Sequence, residues 1–452
     1  MSSILTNKKT LEWLFLAWLI TLPFGSSLGG ISFGFFTLYP NLLFSIALLA
    51  PLPWIILKWP RLIKLFTSFL LIWLVYGVIF AVYNGKSESI IFDVRSLGMQ
   101  LVFALGLFST YTILGWEKFK DLLVVGLRCF LFVLLFFGFF EFYTGIHLEG
   151  NTTAKLYFLP VNFIFYAPLF TYDNPNDFLL YCIFILLILL TFDDRLRNNR
   201  FVPISIALLI ALFTICAYSR LANFILTIII IFQLFQQFLV LKKRIEVRRY
   251  IPYAIVGVLM FGLLLVNPLF IGPKYSAVNK FQKNELDVSG RDSMIIDNSG
   301  KVVDRVPRKV KFNEPTADQV RMNLILNGLD LIKEQPILGV GPGQFRQRHE
   351  DKKVERNVGT VLSPHNFVIE IVSQFGIFGW AYLLFVAYAF YQLVLKKWKV
   401  NRTNRYWMLI VFISIPIMWL MPSGYLYQAV NWLLLPLLLI EVLRIQKEEN
   451  VQ

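Results

Sequence analysis

Three basic residues stand where a polar reaction could meet an apolar solvent. His365, followed by Asn366, lies immediately before a long apolar run in a chain that has only three histidines. Arg220 follows Ser219 in the short polar break Ala-Tyr-Ser-Arg-Leu-Ala-Asn, residues 217–223, between two further apolar runs. Arg321 sits in a stretch of helical periodicity between 316 and 334. Guanidinium forks bind phosphate oxygens bidentately and stay charged at any working pH. A neutral imidazole can take a proton from a hydroxyl. Together the three residues suit a diphosphate leaving group held by arginines while histidine activates a sugar hydroxyl. Each also has an ordinary reading: Arg220 as a snorkelling helix-end cation, Arg321 as a solvated helical arginine, His365–Asn366 as a helix start. Their shared placement favours the chemical reading, since all three are expected on one face of a membrane.

That expectation rests on the elements around them. Hydrophobic residues make up 57% of the 452, mean hydropathy is +0.63, and apolar runs near 20 residues recur along the chain. Such a run crosses a hydrocarbon core of roughly 30 Å as a helix. The runs lack the alternation of a barrel, so the fold class is all-α and polytopic. Twelve spans are predicted: about 12–28, 38–57, 64–84, 96–114, 121–143, 175–192, 201–218, 221–240, 250–271, 366–395, 405–421 and 424–443. With the N-terminus inside, Lys/Arg cluster in inner segments (Lys58, Arg61, Lys64, Lys118, Lys120, Arg195, Arg197, Arg444), and the short outer segments are poor in them. The net charge of +15 is therefore topological and argues against a nucleic-acid partner. Both termini are expected in the cytoplasm.

Three segments follow: spans one to nine over 1–271, a polar insert over 272–364, and spans ten to twelve with a tail over 365–452. The insert, predicted outside, is too long for the charge rule to apply, and a loop of that size is usually functional. Thr316 and Gln319 form a capping-box pattern, and Met322, Ile325, Leu326, Leu329 and Ile332 make an apolar stripe ended by Pro336. This predicts an amphipathic helix near 316–334 lying on the outer membrane surface, then a tight turn at Gly-Val-Gly-Pro-Gly, 339–343. A second outer segment, 144–174, is aromatic and proline-rich, reads as surface-lying or re-entrant, and leads into Asp-Asn-Pro-Asn-Asp, 173–177.

Other candidates carry less. The 339–343 turn lacks the Lys-Ser/Thr of a nucleotide loop. Arg291, in Ser-Gly-Arg-Asp-Ser, is a possible phosphate contact. Arg128 is a charge within the fifth span, a position that draws functional suspicion. His147 and His349 read as exposed loop residues. Cys129, Cys182 and Cys216 read as buried apolar groups, and no metal-ligand spacing is present.

The stretch from Arg321 to Gly379 resembles the O-antigen ligase and polysaccharide polymerase family of bacterial membrane proteins. The likeness is carried by Arg321, by Pro336-Ile337-Leu338-Gly339-Val340-Gly341 with Phe345, by His365-Asn366, and by Gly376 with Gly379. Ser219-Arg220 resembles the family's S-R pair, and Asn174-Pro175-Asn176 its N-P-N. One departure is Gln374-Phe375 where the family carries an acid before the first paired glycine; Glu370 lies a turn earlier. The resemblance implies a GT-C-like membrane glycosyltransferase with about twelve helices. It would move a glycan from an undecaprenyl-diphosphate carrier to an acceptor sugar, either a lipid A core or another carrier-linked glycan, in cell-surface polysaccharide assembly. The reaction would be inverting and free of nucleotide or metal cofactors. The residues implied are His365, Arg220 and Arg321 for catalysis, with Asn366, Asn174 and Asn176 for substrate; Arg291 joins them as a substrate candidate from its local sequence alone, with a solvated loop as its ordinary reading. The competing class is a transporter or flippase of lipid-linked glycans, which predicts ionisable residues deep in several spans and related halves. A third is an inactive scaffold of a polysaccharide export complex.

Overall fold

The computed structural model describes residues 7–24, 31–32, 37–84, 87–147, 155–158, 163–170, 172, 175–199, 201–217, 219–236, 294–296, 302–305, 317–358, 364–396, 402–420 and 429–449. The helices are α1 Lys8–Thr21, α2 Pro40–Ala47, α3 Leu52–Ile55, α4 Arg61–Asn84, α5 Glu88–Leu114, α6 Trp116–Thr144, α7 Pro175–Phe192 and α8 Asp194–Asn198. They continue as α9 Val202–Cys216, α10 Arg220–Phe235, α11 Ala317–Glu334, α12 Gln344–Glu350, α13 Phe367–Phe375, α14 Ile377–Phe390, α15 Arg402–Met418 and α16 Ala429–Glu449. Three two-stranded antiparallel ribbons are added: β1 Ile31–Ser32 with β2 Thr37–Leu38, β3 Lys155–Phe158 with β4 Phe163–Tyr166, and β5 Met294–Ile296 with β6 Val302–Arg305.

Among the described residues, six helical segments are long and apolar enough to cross a membrane: Pro40–Lys58, α4, α5, α6, α7 and Ile377–Leu395. The helices α9, α10 and the stretch Trp407–Met418 are shorter but also apolar. α7 is apolar on all sides, and every residue from Asp177 to Phe192 is buried, as a helix enclosed by others requires. It packs against α6, α9, α10 and α15. The peripheral helices do the reverse. α4 leaves Leu65, Leu71, Ile72, Val75, Ile79 and Val82 exposed, and α6 leaves Val125, Phe132, Phe136, Phe139 and Tyr143 exposed. Apolar stripes of that length have no place in water and need no partner in lipid. The chain is a multi-pass helical membrane protein.

The two ends of the bundle differ chemically. At the basic end Arg128 pairs with Asp193 at 2.5 Å, Lys120 with Asp194 at 3.2 Å, and Lys118 with Glu12 at 3.1 Å. Arg444 pairs there with Glu441 and lies over the Trp116 ring. Asp193 also caps α8 by accepting the Arg195 and Leu196 N–H groups, so Arg128 holds a helix cap in place. At the other end, the loop end, α4 and α5 meet the segment 337–347. Tyr76 donates its hydroxyl to Leu338 O at 2.8 Å, and Gly343 N–H donates to the buried Asp93 carboxylate at 2.6 Å.

Several expectations need correction. The run expected as one span over 366–395 breaks between α13 and α14 and ends in a π-helical turn, Tyr391–Lys396. The break is at Gly376, which has φ +50°, and a Cβ there would lie 2.2 Å from Ile337 O. Ile377 N–H donates to that same carbonyl at 2.7 Å, so the interruption admits the 337–341 chain. The run over 38–57 is likewise divided into α2 and α3, and α5 starts at Glu88, ahead of the expected 96. The segment 144–174 contributes the β3–β4 ribbon, where an all-α reading foresaw no strand. The ninth predicted span, 250–271, lies outside the described residues.

The helix α11 buries a face shifted from the expected stripe, which it covers only in part. Leu324, Asn327, Gly328 and Leu331 are buried, whereas Met322 and Leu329 are exposed. Gly328 decides this, because its missing side chain lets α11 seat on α13: a Cβ there would fall 2.1 Å from Ile369 Cγ2. Leu324, Leu331, Val340, Phe345, Val358 and Ile369 form a small separate core beneath it. Of the expected stripe, Ile325 and Ile332 pack against this core, and Met322 and Leu329 face away from it.

Candidate active site

Backbone register brings the three chemical candidates to one end of the bundle. Gln233 at the C-terminal part of α10 donates to Arg197 O at 2.9 Å and Asn199 O at 3.1 Å, which places it at the basic end. Gln236 there accepts the Trp407 indole N–H, so α15 begins at the same end. Arg220 lies 13 residues back from Gln233 along α10, roughly 20 Å at 1.5 Å per residue. Trp419 lies 12 residues on from Trp407, roughly 18 Å, and its carbonyl accepts Phe367 N–H at 3.0 Å. Arg220 and the start of α13 are therefore level, at the loop end.

Arg321 reaches that level by a second route. α11 and α13 run side by side in the same direction: Gly328 seats on Ile369, and Gly339 on Gln374 and Phe375. Val340 N–H donates to Ser373 O at 2.9 Å and Gly341 N–H to Gln374 O at 2.8 Å, which locks the register. Seven residues before Gly328 on the same helical face stands Arg321, and four before Ile369 stands His365. Both side chains rise from the N-terminal ends of two locked helices.

Local structure prepares each of them. Arg220 is the first residue of α10 and exposed, behind the buried Ser219. Arg321 is exposed in the first turns of α11. His365 is half-buried at φ +48°, one of three described non-glycine residues with positive φ. That left-handed conformation is uncommon for a side chain with a Cβ, and such strain clusters at functional sites. Asn366 caps α13 by accepting Ile369 N–H on its Oδ1 at 3.2 Å. Asn176 is half-buried in the first turn of α7. Asn174 and Arg291 lie outside the described residues.

Two glycines show why the loop can reach this end. Gly343 has φ +72°, and a Cβ there would lie 2.5 Å from Ile90 N and from Ser89 C; only glycine lets α12 start directly on α5. Gly376 does the same for the 337–341 chain. The departure at Gln374 places a buried amide where the family carries an acid, while Glu370, one turn after the cap, is buried.

Residues 204–384 match the family model described as O-antigen ligase. Across this segment the chain is similar to O-antigen ligases. The matched region runs from α9 into α14 and contains Arg220, Arg321, His365, Asn366 and the glycine loop. No curated protein matches the chain.

The structure adds acidic groups that sequence reasoning missed, and it corrects two histidines. Asp93, buried in α5, holds Gly343; Glu141, buried at the end of α6, accepts Leu169 N–H at 2.6 Å and Phe170 N–H at 2.8 Å. His147 and His349, expected exposed, are both enclosed. His147 sits 3.1 Å from Glu141 through Nδ1. His349 Nδ1 donates to Phe345 O at 2.7 Å, and Nε2 takes Asn327 Nδ2–H at 3.1 Å. Burial holds the His349 imidazole below its ordinary pKa of 6.5, partly offset by the Phe345 carbonyl. Asn327 also bonds Arg356 N and O, at 3.1 and 3.0 Å, so this histidine is a packing strut of the small core. Arg128, suspected as an intramembrane charge, is the strut of the Asp193 cap.

Proposed function

We propose that this enzyme transfers a glycan from an undecaprenyl-diphosphate carrier to an acceptor sugar at the outer face of the cytoplasmic membrane. The observation that carries the reading is the convergence of Arg220, Arg321 and His365 at the end of the bundle opposite the basic end. Short basic segments mark the cytoplasmic side, so the loop end is the outer one. The family's twelve-span layout with both termini inside accords with this.

The acceptor hydroxyl oxygen attacks the anomeric carbon of the donor, and the bond from that carbon to the diphosphate oxygen breaks with its electron pair. Arg220 and Arg321 hold the diphosphate and stabilise the charge that grows on it. His365 takes the hydroxyl proton. A single displacement inverts the anomeric centre, and no step calls for a metal. Asn366, Asn174, Asn176 and Arg291 line the sugar and phosphate path in this reading. The exposed apolar side of α11 rests on the bilayer surface.

A transporter would need ionisable groups in mid-bundle. Among the described residues the buried ones, including Asp93, Glu141, Asp177, Asp193, Glu370 and Glu441, stand within about two turns of a helix end. The test is reconstitution in liposomes with carrier-linked glycan and a chelator. A new glycosidic bond of inverted configuration, with release of undecaprenyl diphosphate, is expected. Glycan that crosses the bilayer unchanged would overturn the reading in favour of transport.

A further inference from the structure

A second imidazole at the loop end is built like a working one. The side chain of His147 is 5% exposed and that of Glu141 0%. Glu141 Oε2 already accepts the Leu169 and Phe170 N–H groups, so the carboxylate is fixed as an acceptor, and in a neutral ring the proton belongs on Nδ1. The lone pair is then on Nε2, and Nε2 is buried with no hydrogen-bond partner among the described residues. Buried polar atoms left unpartnered are rare in native folds and mark a role that packing does not supply. A carboxylate that orients an imidazole through Nδ1 and leaves Nε2 unpaired is the arrangement by which proteins aim a histidine at a hydroxyl.

The surroundings suit a sugar. Gly145, in the left-handed conformation at φ +70°, turns the chain after α6 back over its last turn, and the Tyr166 ring covers it. Phe170, whose N–H bonds Glu141, is itself at φ +54° and leads through Tyr172 to the Asn-Pro-Asn stretch at α7. Phe142 packs on Phe213 at 5.7 Å, on the helix that hands over to Arg220. Apolar ring faces beside one aimed polar atom are how binding sites fix a ligand's orientation.

We propose that His147 is a glycan-binding group of the same outer site, its Nε2 accepting a hydrogen bond from a sugar hydroxyl, with Glu141 as its positioning residue. This rests on the glycan-transfer reading and extends it to a residue outside the matched segment.

The test uses the full chain in liposomes and carrier-linked glycan extracted from the source membranes. His147→Asn keeps an amide near the Nδ1 position for Glu141 but removes Nε2; His147→Gln places an acceptor near Nε2. The asparagine variant should raise KM about tenfold with little change in kcat and in unfolding midpoint, the loss of one hydrogen bond. The glutamine variant should recover part of that loss. With three histidines in the chain, ring-15N-histidine spectra add a direct readout should the variants fail to fold. The His147 Nε2 signal should shift with carrier-linked glycan and stay put with undecaprenyl diphosphate stripped of sugar. An asparagine variant within twofold of native KM, or an unmoved Nε2 signal, overturns the proposal while native transfer persists. If the native protein forms no glycosidic bond, the glycan-transfer reading itself has failed.

Discussion

Replacing His365 should separate stability from activity, because the residue is strained where it stands. Its φ of +48° is a conformation that costs an L-residue with a Cβ about 1–2 kcal/mol and glycine almost nothing. Glycine gives back about 0.5–1 kcal/mol through the entropy of its unfolded chain. His365→Gly and His365→Ala both delete the imidazole and every contact it makes, so their difference isolates the backbone. His365→Gly should be the more stable by about 0.5–1 kcal/mol, the reverse of the order expected within a helix. His365→Asn, a side chain that tolerates the left-handed region, should lie near the native protein. Transfer should fall in all three by about 10²–10⁴, the usual worth of a general base and about 3–5 kcal/mol of barrier. Thermal unfolding in detergent and single-turnover transfer in liposomes measure the two effects on one preparation. Transfer within tenfold of native in any of the three would refute the role of His365. A less stable glycine variant than alanine variant would refute the strain.

Three further outcomes follow from the same geometry. Arg220→Lys and Arg321→Lys keep the charge but lose the bidentate fork; with both side chains exposed, folding should be unchanged while kcat/KM drops about tenfold to thousandfold, and native rates in both variants would remove the arginines from the mechanism. Asp93→Ala removes the acceptor of Gly343 N–H at 2.6 Å, a charge-assisted bond worth about 1.5–3 kcal/mol, so protease protection of the 317–358 segment should fall, and Asp93→Asn should restore most of it. Acidification should loosen that segment in two stages. His349 is held below 6.5 by burial, so its contribution is complete above 6.5 and declines as pH drops toward the folded value. Asp330, bonded by Arg356 and Lys333, and Glu334, bonded by Arg348, lie below their ordinary values and add losses only at lower pH. Hydrogen exchange of 317–358, corrected for intrinsic rates, should show the first stage in the native chain and not in His349→Gln; equal protection at pH 7.5 and 5 would contradict it.

The apolar runs were legible because a membrane helix is written in local composition: α4, α6 and α7 fall close to where hydropathy alone puts them. What resisted reading depends on contacts made far along the chain. Asp93 and Gly343 are 250 residues apart, and neither has a local pattern that announces the other. The glycine spacing could be matched to a family but not explained, since each glycine admits a different distant neighbour: Gln374, Phe80, Ile90 and Ile337. The stripe on α11 was placed only in part, for a related reason. Periodicity ranks faces by side-chain size, whereas close packing on α13 selects the face that carries Gly328. His147 left a local signal that could have been followed: Glu141, then Gly145, then His147, an acid and a histidine on either side of a helix-ending glycine that folds the chain back on itself. Even so, part of the site is assembled by an element that holds none of its candidate side chains. Arg220 and His365 are brought level by α15, whose Trp407 marks one end and Trp419 the other. The spacing between those two tryptophans is therefore as much a determinant of the proposed chemistry as the histidine it positions.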